Sequence, residues 1–197
     1  MKRNDEVEAK FWRTISVDPD ETFGINHRYN DEAGFWYVYN SEVQNHKQVK
    51  VGDFLFVGNR DRLLGAGQIS QILASPDVLM LARCPACNRT NIAKRSRKLP
   101  SFKCRECKHE FEQIEWDLIN GCVYAAAFDG NWQQAEGRIC GEMLKQASVQ
   151  PSCRLSIREI DIGKLALNAL EPNVARFIDE RLCARPHGNE GALAKAG

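Results

Sequence analysis

An α+β fold is what this sequence predicts: a bent β-barrel with flanking helices, interrupted by a small ribbon built on four cysteines. Three observations carry that expectation. Short segments rich in β-branched and aromatic residues recur in the first half, each bounded by Pro, Gly, Asn or Asp. Two later segments repeat apolar residues at helical spacing. Between them, two Cys-x-x-Cys pairs stand at the separation of a zinc ribbon. With 197 residues, 43% hydrophobic and 27% charged, the chain has material for one sizeable core and one small attached module.

The elements follow in order. Lys10 to Val17 (KFWRTISV), Gly34 to Tyr39 (GFWYVY), Asp53 to Gly58 (DFLFVG) and Leu64 to Leu73 (LGAGQISQIL) read as strands of the barrel. Phe111 to Trp116 and Cys122 to Phe128 read as two more. Ile139, Cys140, Met143, Leu144 and Ala147 fall on one helical face, and Leu155 to Ile160 alternates like a strand. A last helix carries Val174, Phe177, Ile178 and Leu182, with Asn173 as its expected cap. The domain is expected over 8–183, the ribbon within it over 82–112, and a linker-like tail over 184–197.

Cys84-Pro-Ala-Cys87 and Cys104-Arg-Glu-Cys107 are separated by sixteen residues. Two such knuckles place four thiolates tetrahedrally around one ion, and four cysteines close its coordination, so one structural Zn²⁺ is expected rather than a catalytic one. Disulfide pairing and redox chemistry are the rivals. An intracellular chain disfavours the first, and a redox motif has no reason to occur twice at this spacing. His109 is expected to be solvated, and Cys122, Cys140, Cys153 and Cys183 to be buried free thiols.

Charge is concentrated in the same segment. Nine bases and one acid lie between Arg83 and Lys108, a net +8, which leaves 18 bases and 25 acids, a net −7, in the remainder. A chain of formal charge +1 is thus an acidic body with one basic loop, and the loop attracts phosphate unless it is simply solvated. Lys94, Arg95, Arg97 and Lys98 are the expected backbone contacts, with Arg158 on its alternating segment as a further candidate.

The aromatic run Phe35-Trp36-Tyr37-Val38-Tyr39 leads directly into Asn40-Ser41. Alternation sends Trp36 and the two tyrosines to opposite faces, so one set fills the core and the other is free to line a cavity. Aromatic walls with an amide or hydroxyl at the rim suit a planar heterocycle, although complete burial in the core is the simpler reading for any single ring. Trp12 and Trp132 are open to the same two readings.

Catalytic motifs are missing: there is no phosphate-binding Gly-x-x-x-x-Gly-Lys loop, no nucleophile elbow and no paired histidines, and Gly65-Ala-Gly67 reads as a strand bend. Asp77 followed by Glu106-Cys107-Lys108 fits a loose nuclease pattern, but Glu106 and Lys108 flank an expected zinc ligand and have little freedom to aim at a second metal. The chain itself is expected to catalyse nothing. No apolar run approaches the roughly 20 residues of a membrane span, and the charged start is unlike a secretory signal, so a soluble cytoplasmic protein is expected.

Lys10-Phe-Trp-Arg-Thr-Ile, Tyr39-Asn40-Ser41, Val49-Lys50-Val51-Gly52-Asp53 and Gly65-Ala-Gly67-Gln-Ile resemble, in order, the elements of the EVE branch of PUA-like domains, relatives of the YTH readers. Tyr124 to Trp132 (YAAAFDGNW) and Cys153 to Asp161 (CRLSIREID) are similar to the region preceding the nuclease in bacterial modification-dependent HNH endonucleases. Together the two cover most of residues 10–165. The resemblance implies a PUA-like, EVE-type barrel with an inserted ribbon, in a bacterial DNA reader. Its partner is double-stranded DNA carrying a modified base, most plausibly 5-methylcytosine or a related cytosine, flipped into a pocket of Trp36, Tyr39, Asn40 and Ser41. An HNH nuclease would be linked beyond the tail, and any homodimer would form through such a full-length protein. An RNA-binding PUA-like protein and a zinc-ribbon protein-interaction module are the alternatives.

Overall fold

The computed structural model describes residues 8–16, 31–59, 61–95, 97–150, 156–165 and 170–183. Cys153, Leu155, His27, His187 and the tail from Ala184 lie outside them. The fold is α+β and mostly sheet, with a four-cysteine cluster. One sheet has five strands, β1 (Phe11–Ile15), β3 (Phe54–Gly58), β4 (Leu63–Gln68), β10 (Trp132–Gln134) and β11 (Arg158–Glu159), in the order β10-β4-β3-β1-β11. A second has β2 (Trp36–Asn40), β9 (Glu115–Ala127) and β5 (Gln71–Arg83), in the order β2-β9-β5. The helices are α1 (Gly141–Gln146) and α2 (Pro172–Cys183). No described helix is long and apolar enough to cross a membrane.

The body has three layers rather than a closed barrel. β3 shows why: all five of its residues are buried, with neighbours on both edges and cover on both faces. Phe54 and Phe56 pack with Leu144, Val174, Phe177 and Ile178 on the helical side. Leu55 and Val57 pack with Trp12, Tyr37, Tyr39, Ala126 and Phe128 towards the second sheet. A strand covered on both faces reads as a continuous apolar run, which is what FLFV is. β1 runs parallel to β3, and the chain between them contributes β2 to the other sheet.

The resemblance motifs have a common physical anchor. Asp53 Oδ1 accepts the Lys10 backbone N–H at 3.0 Å, and Oδ2 accepts Trp12 Nε1 at 2.8 Å and the Lys50 N–H at 3.0 Å. Three donors aimed at one buried carboxylate join β1 to the turn into β3. Gly65 and Gly67 also acquire a reason beyond a bend. A Cβ on Gly65 would lie 2.2 Å from the Trp132 ring, and one on Gly67 would lie 2.4 Å from the Phe128 ring, so the glycines make the slot for that aromatic pair.

The expected strand Leu64–Leu73 is two, β4 and β5, with a corner at Ile69–Ser70. β5 and β9 are 13-residue strands paired along their whole length, from Gln71 opposite Ala127 to Arg83 opposite Glu115. Only Val123–Ala127 of β9 also pairs with β2, so the remainder leaves the body as a two-stranded stalk. The sequence is expected to end one strand at Leu73 and to separate two others between Trp116 and Cys122, whereas β5 and β9 run through both points. Pro76 is tolerated because β5 is an edge strand, and Gly121 because its missing Cβ lets Leu79 and Ser41 close over the pair.

Asn173 lies inside α2 and donates to the Gln134 carbonyl at 2.9 Å instead of capping it, and Pro172 takes the first helical position. Asp31 is a separate local feature. Its Oδ1 accepts the Val38 N–H at 2.8 Å, and burial pushes its carboxyl up to about 6. Below about 4 the group is protonated in folded and unfolded chains alike. As pH rises through that range to about 6 the unfolded chain releases its proton first and stability falls. Asp31→Asn keeps the acceptor and removes the charge, so it should raise the melting temperature at pH 7.5, by the equivalent of about 2 kcal/mol, and change little at pH 3.5. Thermal denaturation at the two pH values checks this; an equal shift at both would assign the effect to something other than titration.

Candidate metal centre and nucleic-acid interface

The stalk ends in a third small sheet of β6 (Ile92–Lys94), β7 (Phe102–Cys104) and β8 (Glu110–Phe111). The two knuckles around it have matching geometry. Cys84 N–H donates to the Arg89 carbonyl at 2.9 Å and Cys104 N–H to the His109 carbonyl at 2.8 Å. Asn88 and Lys108, each following a second cysteine, have φ of 58° and 66°. That left-handed residue turns the chain so both sulfurs of a knuckle face one point.

Cys84, Cys87, Cys104 and Cys107 converge, with all four Sγ atoms within 4.8 Å of one another. Cys84 and Cys107 are 3.7 Å apart, and Cys87 and Cys104 are 3.6 Å apart. Metal–thiolate bonds of about 2.3 Å at tetrahedral angles put sulfurs about 3.8 Å apart, whereas a disulfide needs about 2.05 Å. The set fits a tetrahedral cation and excludes disulfides. Burial acts to raise the Cys104 thiol, but backbone N–H groups of Cys107 and Glu106 and neighbouring thiols bring it down to about 7. At Cys87 the Arg89 N–H acts to lower the pKa, while burial and the other three thiols push it up to about 12. Without a metal the thiols share charge unevenly, Cys104 ionising well before Cys87. His109 stays outside it, exposed and stacked on Phe111.

The basic loop is less uniform than its sequence. Glu110 draws in two of its cations, with Arg95 at 2.5 Å and Lys103 at 2.9 Å, and these hold its carboxyl below the usual carboxylate range, Lys103 first. Arg83 pairs with Asp117 at 2.8 Å. Arg95 is therefore structural, and the acids that occupy it lie just beyond the segment whose charge stood out. Lys94, Arg97 and Lys98 are exposed, as are Arg89 and Arg105.

The expected base-pocket residues do not wall a common cavity. Trp36 is 39% exposed and lies beside Phe35, while Tyr39, on the opposite face of β2, is 1% exposed. Tyr39 stacks between Tyr37 and Tyr124 in the core, and burial pushes its hydroxyl up to about 12. The Asn40 side chain is buried and accepts the Glu42 N–H at 2.9 Å, and Ser41 Oγ accepts the Cys122 N–H at 3.2 Å. Both polar groups are spent on holding the turn.

A cavity of about 190 Å³ lies one turn away, lined by Trp12, Asn45, Gln48, Val149, Arg158 and Glu159 among others. It is smaller than the roughly 300–1,000 Å³ of drug-sized sites and suits a single ring system. Trp12 is fully buried and held by Asp53. Asn45, at φ 71°, donates to the Ile157 carbonyl at 2.9 Å and accepts from Gln48 Nε2 at 3.0 Å. Glu159 is held by Lys10 at 3.0 Å. Arg13 and Arg158 stand directly opposite each other on β1 and β11. Burial, then the Arg158 charge, lowers the Arg13 pKa. Arg13 itself is buried, and the Glu142 carboxylate offsets part of the Arg158 charge. Of the expected site residues, Arg158 alone lines this cavity. Trp12 carried only an open reading, and Asn45 and Gln48 gave no sequence signal.

Asp77 and the Glu106–Lys108 pair lie at opposite ends of the stalk: Asp77 is opposite Gly121, while Glu106 accepts from Asn91 at 2.7 Å on the second knuckle. The structure does not bring them together. No protein-family model, curated protein or solved structure matches this chain.

Proposed function

We propose that the chain is a DNA-binding specificity domain of PUA-like, EVE-type descent that accepts a modified base, 5-methylcytosine or a related cytosine, flipped from the duplex. One structural zinc on the four cysteines holds the ribbon, whose exposed cations contact phosphates, and a linked HNH nuclease would use the chain for targeting. The observation that carries the reading is the single-ring cavity lined by Trp12, by the Asn45 and Gln48 amides and by Arg158. The amides read a base edge, and the Arg158 guanidinium receives the phosphate of the extruded nucleotide. The resemblance motifs support the fold-level part, since two of them, the one at Lys10 and the one ending in Asp53, are joined through the Asp53 carboxylate.

Extrusion costs a few kcal/mol, which contacts in the cavity must offset. A methyl group contributes about 1 kcal/mol when buried, so the preference for a methylated over an unmodified duplex should be about fivefold. Competition among identical duplexes carrying cytosine, 5-methylcytosine, 5-hydroxymethylcytosine or N6-methyladenine, with matched RNA as a further arm, tests it. Gln48→Ala and Arg158→Ala should remove the preference while salt-sensitive general binding persists. Equal affinity of the wild-type chain for all duplexes sinks the reading.

One observation favours a different class. Val78, Met80, Trp116 and Leu118, 40–65% exposed, share one face of the stalk by register. An apolar face of this kind belongs to a protein-interaction module. Under that alternative, binding is insensitive to salt and the chain has no affinity for nucleic acid.

A further inference from the structure

We infer that the chain grips duplex DNA at two separated points, the ribbon holding phosphates about seven base pairs from the base in the cavity, with the stalk between them untouched. This rests on the reading above and adds the geometry of the contact. The turn of residues 41–48 supplies Asn45 and Gln48 to the cavity, and its first residue is bonded to the root of the stalk, Ser41 N–H to the Cys122 carbonyl at 2.9 Å and Cys122 N–H to Ser41 Oγ at 3.2 Å. Cavity and stalk root therefore share one end of the body. From that root, β9 runs eight residues outward, Cys122 to Glu115, paired throughout with β5. At about 3.3 Å per residue the stalk spans about 25 Å, and at 3.4 Å per base pair that is about seven base pairs.

Charge along the stalk keeps phosphate away from its middle. Among residues 76–83 and 115–122 the acids are Asp77, Glu115 and Asp117, and the one base, Arg83, is paired with Asp117. Beyond it, Arg89, Arg97, Lys98 and Arg105 are exposed and make no ion pair among the described residues. The ribbon has its own small core of Cys84, Cys104 and Phe111 with Ile92, Phe102 and Ile114, so it is a firm platform for those cations. The pattern is cationic at the tip and acidic along the arm, with Arg158 at the cavity.

Hydroxyl-radical footprinting of the whole chain on a duplex of about 30 base pairs, with one modified cytosine at its centre, tests this. Two protected patches are expected, one at the modified base and one about seven base pairs to one side. Arg97→Gln with Lys98→Gln, verified to retain its bound zinc, should lose the distal patch and keep the proximal one. Trimming the duplex to four base pairs on that side should weaken the wild-type chain about tenfold and leave the variant unchanged. A single uninterrupted patch, or a distal patch that survives in the variant, overturns the two-point contact while leaving base recognition standing. Loss of any preference for the modified duplex overturns that reading and this one with it.

Discussion

Cys104→Ser should unfold the ribbon and leave the body folded. Cys104 is fully buried at the centre of the cluster, and the ribbon's other core members are few: Phe111 with Ile92, Phe102 and Ile114 at its margin. A core of that size does not offset the entropy of ordering some thirty residues, and the zinc we propose would supply the missing folding free energy, about 10–16 kcal/mol for sites of this type. Serine has no thiolate to offer, and three ligands leave the coordination open. The body has its own two clusters, around Phe54 and around Tyr39, and they share no residue with the ribbon. Hydrogen exchange should show protection lost over β6, β7 and β8 and kept in β1, β3 and β4. Metal analysis should fall from one zinc per chain, and stripping zinc from the wild-type chain should give the same exchange pattern. Full zinc retention in the variant, or simultaneous loss of the body, contradicts the account.

Gly65→Ala, adding one methyl group, should cost the body about 3 kcal/mol, with a fall in melting temperature of about 6–12 °C. The new Cβ would sit 2.2 Å from Trp132 Cζ2 and 2.7 Å from the Gln133 carbonyl oxygen. The ring meets Phe128 on one side, with centroids 5.1 Å apart, and on another it lies so near Gly34 that a Cβ there would be 3.4 Å from it, so it cannot swing clear without disturbing β10. A double-mutant cycle isolates the cause. Trp132→Ala is destabilising alone through lost packing, but combined with Gly65→Ala it should cost clearly less than the sum, because the clash partner is gone. Strict additivity would place the cost of the alanine elsewhere, in the carbonyl or the strand pairing.

Features encoded by neighbours in the chain were legible. The knuckle cysteines are three residues apart and turn locally, so spacing alone identified the cluster. The apolar run at Phe54 to Val57 and the helical spacing at Val174, Phe177 and Ile178 gave a strand and a helix, both observed. Other features were misread because the deciding partner is distant. Arg95 looked free until Glu110 came across from β8, and Asn173 looked like a cap until Gln134 arrived. The breaks expected after Leu73 and before Cys122 dissolved because Pro76 and Gly121 each meet the special requirement of their place in the pair, an edge for one and a close approach for the other.

The sequence by itself determined the ribbon's ligands, the strand-rich character of the first half and the separation of charge into an acidic body and a basic loop. Each depends on residue type within a few positions, where covalent spacing alone sets the geometry. Only the tertiary structure decided that the sheets form layers rather than a barrel, that β5 and β9 extend as a stalk, and that the cavity belongs to Trp12, Asn45, Gln48 and Arg158 rather than to Trp36 and Tyr39. Those outcomes depend on which strands pair and in which register, a choice made by burial of Tyr39 and Leu55 against residues far along the chain. Pairing over such distances has no local signature.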